Sequence, residues 1–137
     1  MSLKYKIFPQ QKLFVDILAG VITTSKLHEF HKSYRENPTI LCVEKVLTHV
    51  IATDFRMSID EIMEYIDLLK KEAFPPNFKW AILTASPNST MFSMLIKEEP
   101  HFKNNVEVFC TITGAANYLN IKFDESLFNE SGYYEIE

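Results

Sequence analysis

Trp80-Ala81-Ile82-Leu83-Thr84-Ala85-Ser86-Pro87 is the stretch on which the fold turns. Its first half is a short, almost unbroken apolar run of the kind found in central parallel strands buried on both faces. Its second half starts a helix. Ser86 is suited to cap the free amides, and Pro87 stands at the first helical position, where a missing N–H costs nothing. A strand running straight into a capped helix is half of a crossover unit, and only such crossovers return a chain to begin a parallel strand.

The same junction recurs on either side, at Phe55-Arg56-Met57-Ser58 and at Thr111-Ile112-Thr113-Gly114. After the first, Ser58 and Glu61 have the spacing of a capping box. Ile59, Ile62, Met63, Ile66 and Leu69 then form one apolar stripe, and Pro75-Pro76 closes the segment. After Pro87, the residues Met91, Phe92, Met94 and Leu95 supply a buried side before Pro100. Val106-Glu107-Val108-Phe109-Cys110 reads as the last regular strand, with Thr113 opening a short helix through Leu119.

Toward the N-terminus, Tyr5-Lys6-Ile7-Phe8 and the strand starting at Leu13 flank Pro9-Gln10-Gln11-Lys12, the pattern of an antiparallel hairpin that Gly20 ends. Thr23-Thr24 open a helix with Leu27, Phe30, His31 and Tyr34 on one face, and Asn37-Pro38 stops it. Residues 39–46 are the most strand-like run. Residues 47–55 either extend that strand through a bulge or form a separate short segment. The expected architecture is α/β: a single mixed, mostly parallel sheet with an N-terminal antiparallel hairpin and about four helices. Residues 1–122 would form the domain. Residues 123–137, with five acidic and no basic side chains, would be a loosely ordered tail or an appendage packed through Phe128, Tyr133 and Tyr134.

Composition narrows the function. A chain of 137 residues with 47% apolar content fits one domain that needs neither disulfide nor metal. Its net charge of −4 and lack of any basic cluster disfavour nucleic acid, whose phosphates demand a Lys/Arg stripe. No apolar run is long enough for a transmembrane segment or a signal peptide, which points to the cytoplasm. Cys42 and Cys110, within apolar runs, are expected to be buried free thiols.

The order hairpin, helix, strand, helix, strand, helix, strand, helix resembles the SpoIIAA-like branch of the STAS fold. The resemblance is carried by Lys4-Tyr5-Lys6-Ile7 with Leu13-Phe14-Val15, by Asp54-Phe55-Arg56-Met57-Ser58-Ile59-Asp60-Glu61-Ile62, and by Thr113-Gly114-Ala115-Ala116-Asn117-Tyr118-Leu119. It runs from about Lys4 to Ile121 and implies a regulatory or binding module, not an enzyme. In anti-sigma-antagonist members a serine at a helix start accepts phosphate in an Asp-Ser-Ser-Gly context. Ser58 is the nearest position here, but Met57 and Ile59 flank it, and Asp60 and Glu61 would repel a phosphate.

Candidate sites follow from these elements. Ser58 reads first as a helix cap. A ligand or anion rim would gather at the carboxyl ends of the strands, from Asp54, Arg56, Ser58, Ser86, Asn88 and Thr113, although ordinary capped turns explain the same residues. An apolar groove between helices would use Met63, Met91, Phe92 and Met94 to hold a lipid-like ligand, against the plainer reading that they fill the core. His28 and His31 lack further metal-ligating partners in the sequence, so no metal or cofactor is expected. The leading expectation is a regulatory or protein-interaction module with a protein partner or a homodimer through the edge hairpin or helix faces. The alternative is a binder of apolar or amphipathic small molecules.

Overall fold

The structure is a computed structural model that describes residues 2–72 and 74–136; Met1 and Glu137, the outer limits of the two segments expected from the sequence, lie outside the described residues. Strand β1 (Ser2–Phe8) turns through a 3-10 segment (Pro9–Gln11) into β2 (Leu13–Ile22). There follow α1 (Thr24–Arg35), β3 (Lys45–Phe55), α2 (Ile59–Lys70), β4 (Lys79–Thr84), α3 (Pro87–Glu98), β5 (Val106–Phe109), α4 (Ile112–Leu119) and β6 (Tyr134–Ile136). One six-stranded sheet has the order β5-β4-β3-β2-β1-β6. The four strands β2 to β5 are parallel to one another, whereas β1 is antiparallel to both β2 and β6. The fold is thus the mixed, mostly parallel α/β sheet with four helices that the crossover junctions predict.

The capping chemistry is in place. The Ser58 hydroxyl accepts from Glu61 N–H at 3.1 Å while Glu61 accepts from Ser58 N–H at 2.9 Å. Ser86 caps α3 ahead of Pro87. The cap of α4 is Thr111, which accepts from Gly114 N–H, and not Thr113, which is two residues further on, inside the helix, and exposed. The chain steps β2 to β5 in one direction across the sheet, so right-handed crossovers put α1, α2 and α3 on a single face. Their buried residues join Phe14, Leu18, Val46, Val50, Trp80 and Ile82 in one core. On the opposite face Ala115 and Leu119 of α4, with Leu127 and Phe128, cover Leu13, Val15, Ile17, Leu47, Ala81 and Leu83.

Four local expectations change, and the acidic segment takes the packed one of its two expected forms. Residues 39–46 are not a strand: Pro38–Cys42 forms a 3-10 turn, and β3 begins at Lys45 and contains all of 47–55. The Asn37 side chain accepts from Thr39 N–H at 3.1 Å, and Ile40 and Val43 bond back to Asn37 and Ile40, so local Asn-Pro chemistry overrides β-branched propensity. Gly20 does not end β2. It takes φ +82° at a bulge between Ala19 and Gly20, and the strand resumes to Ile22. Ile59 is exposed and Tyr65 takes a buried place on α2 instead, while on α3 Met91 and Met94 face outward and Ile96 is buried with Phe92. Neither thiol is buried: Cys42 is half-buried in the 3-10 turn and Cys110, just past β5, is exposed. The acidic segment is integrated, with Leu127 and Phe128 buried and β6 paired to β1 from Leu3 to Tyr5. The outer edge of the hairpin is therefore already occupied by the chain itself.

Candidate ligand cavity

Strand pleating sends alternate side chains to opposite faces. Phe14, Asp16 and Leu18 of β2, Val46, Thr48 and Val50 of β3, and Trp80 and Ile82 of β4 all face α1, α2 and α3. In-register parallel pairing sets Asp16, Thr48 and Ile82 side by side. The central strand presents only short side chains here. The helices, bridging over it, enclose a cavity of about 730 Å³ lined by those residues, by Tyr34, Tyr65, Leu69, Phe92 and Ile96, and by the loops at one end. A small-molecule site typically measures about 300–1,000 Å³ and is apolar with a few placed polar groups.

The polar groups form one chain. Trp80 Nε1 donates to Thr48 Oγ1 at 2.9 Å, and Thr48 donates to Asp16 Oδ1 at 2.6 Å. Among the described residues no other side chain donates to Asp16. The side chain is half-buried, and desolvation raises its pKa from 3.8 to about 7 against the opposing Thr48 hydrogen bond. Its residual accessible surface belongs to the cavity it lines. Tyr34 and Tyr65 stand near enough to feel the Asp16 charge. Burial first, then neighbouring anions, keeps both hydroxyls protonated well above the ordinary tyrosine range; the contact between the two phenols adds to the rise at Tyr34 and opposes it at Tyr65. Phe14 lies edge-on to Tyr34, ring centroids 5.0 Å apart.

The mouth lies at the amino ends of the parallel strands. Lys12 precedes β2, Glu44 precedes β3, and Leu41, Cys42, Phe74 and Pro75 complete the rim. Asp16 is four residues in from Lys12, roughly 13 Å along the strand. The rim's basic groups are paired: Lys12 Nζ lies 2.8 Å from Glu44, and Arg35 lies 2.6 Å from Glu72 Oε1, which also takes a hydrogen bond from His31 Nε2. Burial works to raise the Glu72 pKa, but the hydrogen bonds and charges of His31 and Arg35 outweigh it and hold the carboxylate below its ordinary value. This trio ties α1 to the segment after α2.

The rim anticipated from the sequence is at the other end of the sheet. Asp54 and Arg56 are exposed and pair with each other at 3.0 Å. Ser58 is engaged in its capping box, whose Glu61 also accepts from Thr24 at 2.7 Å. Ser86 donates to Ser89, itself 2.8 Å from Thr53, while Asn88 and Thr113 are exposed. Of the anticipated groove residues, Phe92 lines the cavity and stacks on Phe55 at 4.3 Å. Met63 packs against the outer core, and Met91 and Met94 are exposed on α3; none of the three lines the cavity. Asp16, Thr48 and Trp80 were unmarked in the sequence. The available signal was a single acidic residue at the same parity as Phe14 and Leu18 in an otherwise apolar strand.

No group of three or more His, Cys, Asp or Glu suited to a metal ion occurs among the described residues, and no helix is long and apolar enough to cross a membrane. No protein-family model matches the chain, and no curated protein is significantly similar to it.

Proposed function

We propose that this protein works by binding and not by catalysis, as a small regulatory domain of SpoIIAA-like, STAS-type architecture that holds an apolar or amphipathic small molecule between its sheet and its helices. The observation carrying this reading is the cavity itself: about 730 Å³, walled mostly by apolar side chains, with one hydrogen-bonded polar chain in its floor. Interiors are normally close-packed, and a cavity this large in a domain this small is costly to keep. A ligand offsets that cost. The element order supports the STAS-like assignment, and the two free thiols fit a reducing compartment, the cytoplasm.

Trp80 is the single tryptophan and lies in the cavity wall, so its emission reports occupancy directly. Purified protein examined by native mass spectrometry should carry a small-molecule adduct, and stripping the adduct should shift Trp80 emission. A bare mass across preparations, with no response of Trp80 to any amphiphile, would refute the proposal.

A second reading, a protein partner or homodimer, draws on exposed apolar side chains. Met91 and Met94 project from α3, and β5 ends the sheet with an unpaired edge among the described residues. Sedimentation at two concentrations, with Met91→Lys and Met94→Lys as the interfering pair, tests it.

A further inference from the structure

The cavity contains an acid without a base. Asp16 is enclosed beside Phe14, Tyr34, Tyr65 and Trp80, and the only basic side chains lining the cavity, Lys12 and Arg35, are at its mouth and paired with Glu44 and Glu72. We propose that the cavity selects a protonated organic amine with an apolar body, the ammonium seated on Asp16 and the body extending along the apolar wall. This inference deepens the binding proposal above and rests on it.

Hydrogen-bond direction supports the choice. Donation flows from Trp80 to Thr48 to Asp16, so the cluster spends its donors on its own carboxyl. What remains for a ligand is the rest of the carboxyl, which only accepts when ionised, and the phenols of Tyr34 and Tyr65, which can accept as well as donate. An ammonium is the complementary head group, with three donors and no acceptor. Aromatic faces around it add cation–π attraction, which strengthens when water is excluded. A carboxylate head would be repelled at Asp16, and a plain hydrocarbon would leave the carboxyl with the Thr48 hydrogen bond alone and its charge uncompensated.

The charged and titratable groups that face Asp16 do not supply an internal substitute. From β1, Tyr5 pairs with Asp16 in register; from α1 come Tyr34, His31 and Arg35; from α2 and its following residues come Tyr65 and Glu72. His31 and Arg35 are both engaged with Glu72. Tyr133 from the C-terminal segment is near enough to sense Asp16, and its hydroxyl stays protonated because it is buried. The lining residues of β3, β4 and α3 (Val46, Thr48, Val50, Trp80, Ile82, Phe92 and Ile96) bring no charge.

The test uses three probes with one body and different heads: 4-phenylbutylamine, 4-phenylbutanol and 4-phenylbutanoate, titrated by Trp80 fluorescence into full-length protein. At pH 8 the amine should bind about thirtyfold or more tighter than the alcohol, the scale of a buried, hydrogen-bonded charge pair. The amine's affinity should fall about tenfold by pH 6 as Asp16 takes up a proton, while the alcohol's holds steady. Asp16→Asn, checked for a cooperative melt, should erase the amine's advantage. The pH series on the unaltered protein stands independently of that variant. Equal binding of amine and alcohol, or tighter binding of the butanoate, would overturn the amine inference and leave a binding cavity intact. No response to any of the three, together with a bare native mass, would overturn both.

Discussion

The two faces of the sheet differ by one residue step along the same strands. On one face Asp16 and Thr48 border a cavity; on the other His49, the residue after Thr48, is pressed against Phe128 with ring centroids 4.4 Å apart. Each face carries a half-buried titratable side chain on its central strands, in opposite settings. Asp16 has a hydrogen-bond partner and open space, whereas His49 Nδ1 is buried with no partner and the ring is simply packed. Burial raises the Asp16 pKa and lowers that of His49, against a small raising effect of Glu125. The close-packed face reads as a structural surface. The open face keeps a destabilising charge, which is the mark of a functional one.

The largest effect should come from removing that charge. Between pH 3.8 and about 7 the folded chain keeps the Asp16 proton that the unfolded chain has released, so this group's contribution to stability declines as pH rises through that window. The shift corresponds to on the order of 4 kcal/mol above pH 7. Asp16→Asn should therefore raise the ligand-free melting temperature at pH 8 and change it little at pH 4. An unchanged or lower melting temperature at pH 8 would erase the contrast between the faces.

Truncation on the packed face comes next. Leu47 is wholly buried there, and Leu47→Ala should cost about 3 kcal/mol in urea unfolding, in the usual range for a new cavity. Enlargement then compares the faces directly. Ala81→Val on the packed face should cost about 1–3 kcal/mol through overpacking. Val46→Leu, pointing into the cavity, should cost less than about 1 kcal/mol and weaken ligand binding. Equal costs would mean that the open face is as tightly filled as the other.

The smallest effect concerns His49. With its pKa lowered in the folded state, the unfolded chain binds the proton more readily, so stability is lost as pH falls below 6.5. His49→Gln should flatten that acid limb, seen in melts at pH 5.5 and 7.5, without touching the opposite-signed decline that Asp16 contributes as pH rises from 3.8 to about 7. Loss of both limbs together would show that the faces are coupled.

Much of this architecture was legible in the residues. Ser58 with Glu61, and Ser86 with Pro87, mark helix starts by local hydrogen bonding, and the apolar run beginning at Trp80 marks a doubly buried strand; such signals need only near neighbours. The 39–46 stretch misled because its β-branched composition was weighed above the turn chemistry of Asn37-Pro38, which the structure follows. Met91 and Met94 misled because helical spacing tells which residues share a face, not which face the sheet takes. The site itself was hidden for a different reason. Asp16, Thr48 and Trp80 are 64 positions apart from first to last, and only the pairing register of three parallel strands makes them neighbours. The fold rule that directs attention to the carboxyl ends of strands leads to turns that satisfy their own polar groups, at the end of the sheet away from the cavity mouth.

The pairing of β6 with β1 has a consequence for how the molecule is made. Leu3 lies opposite Ile136, so β1 gains its outer partner only after Ile136 has been synthesised, more than 130 residues later. Until then a nascent chain displays an unshielded row of amides and carbonyls along its first strand. Deleting Tyr134–Ile136 would make that transient state permanent, leaving every copy able to recruit another in place of its own β6.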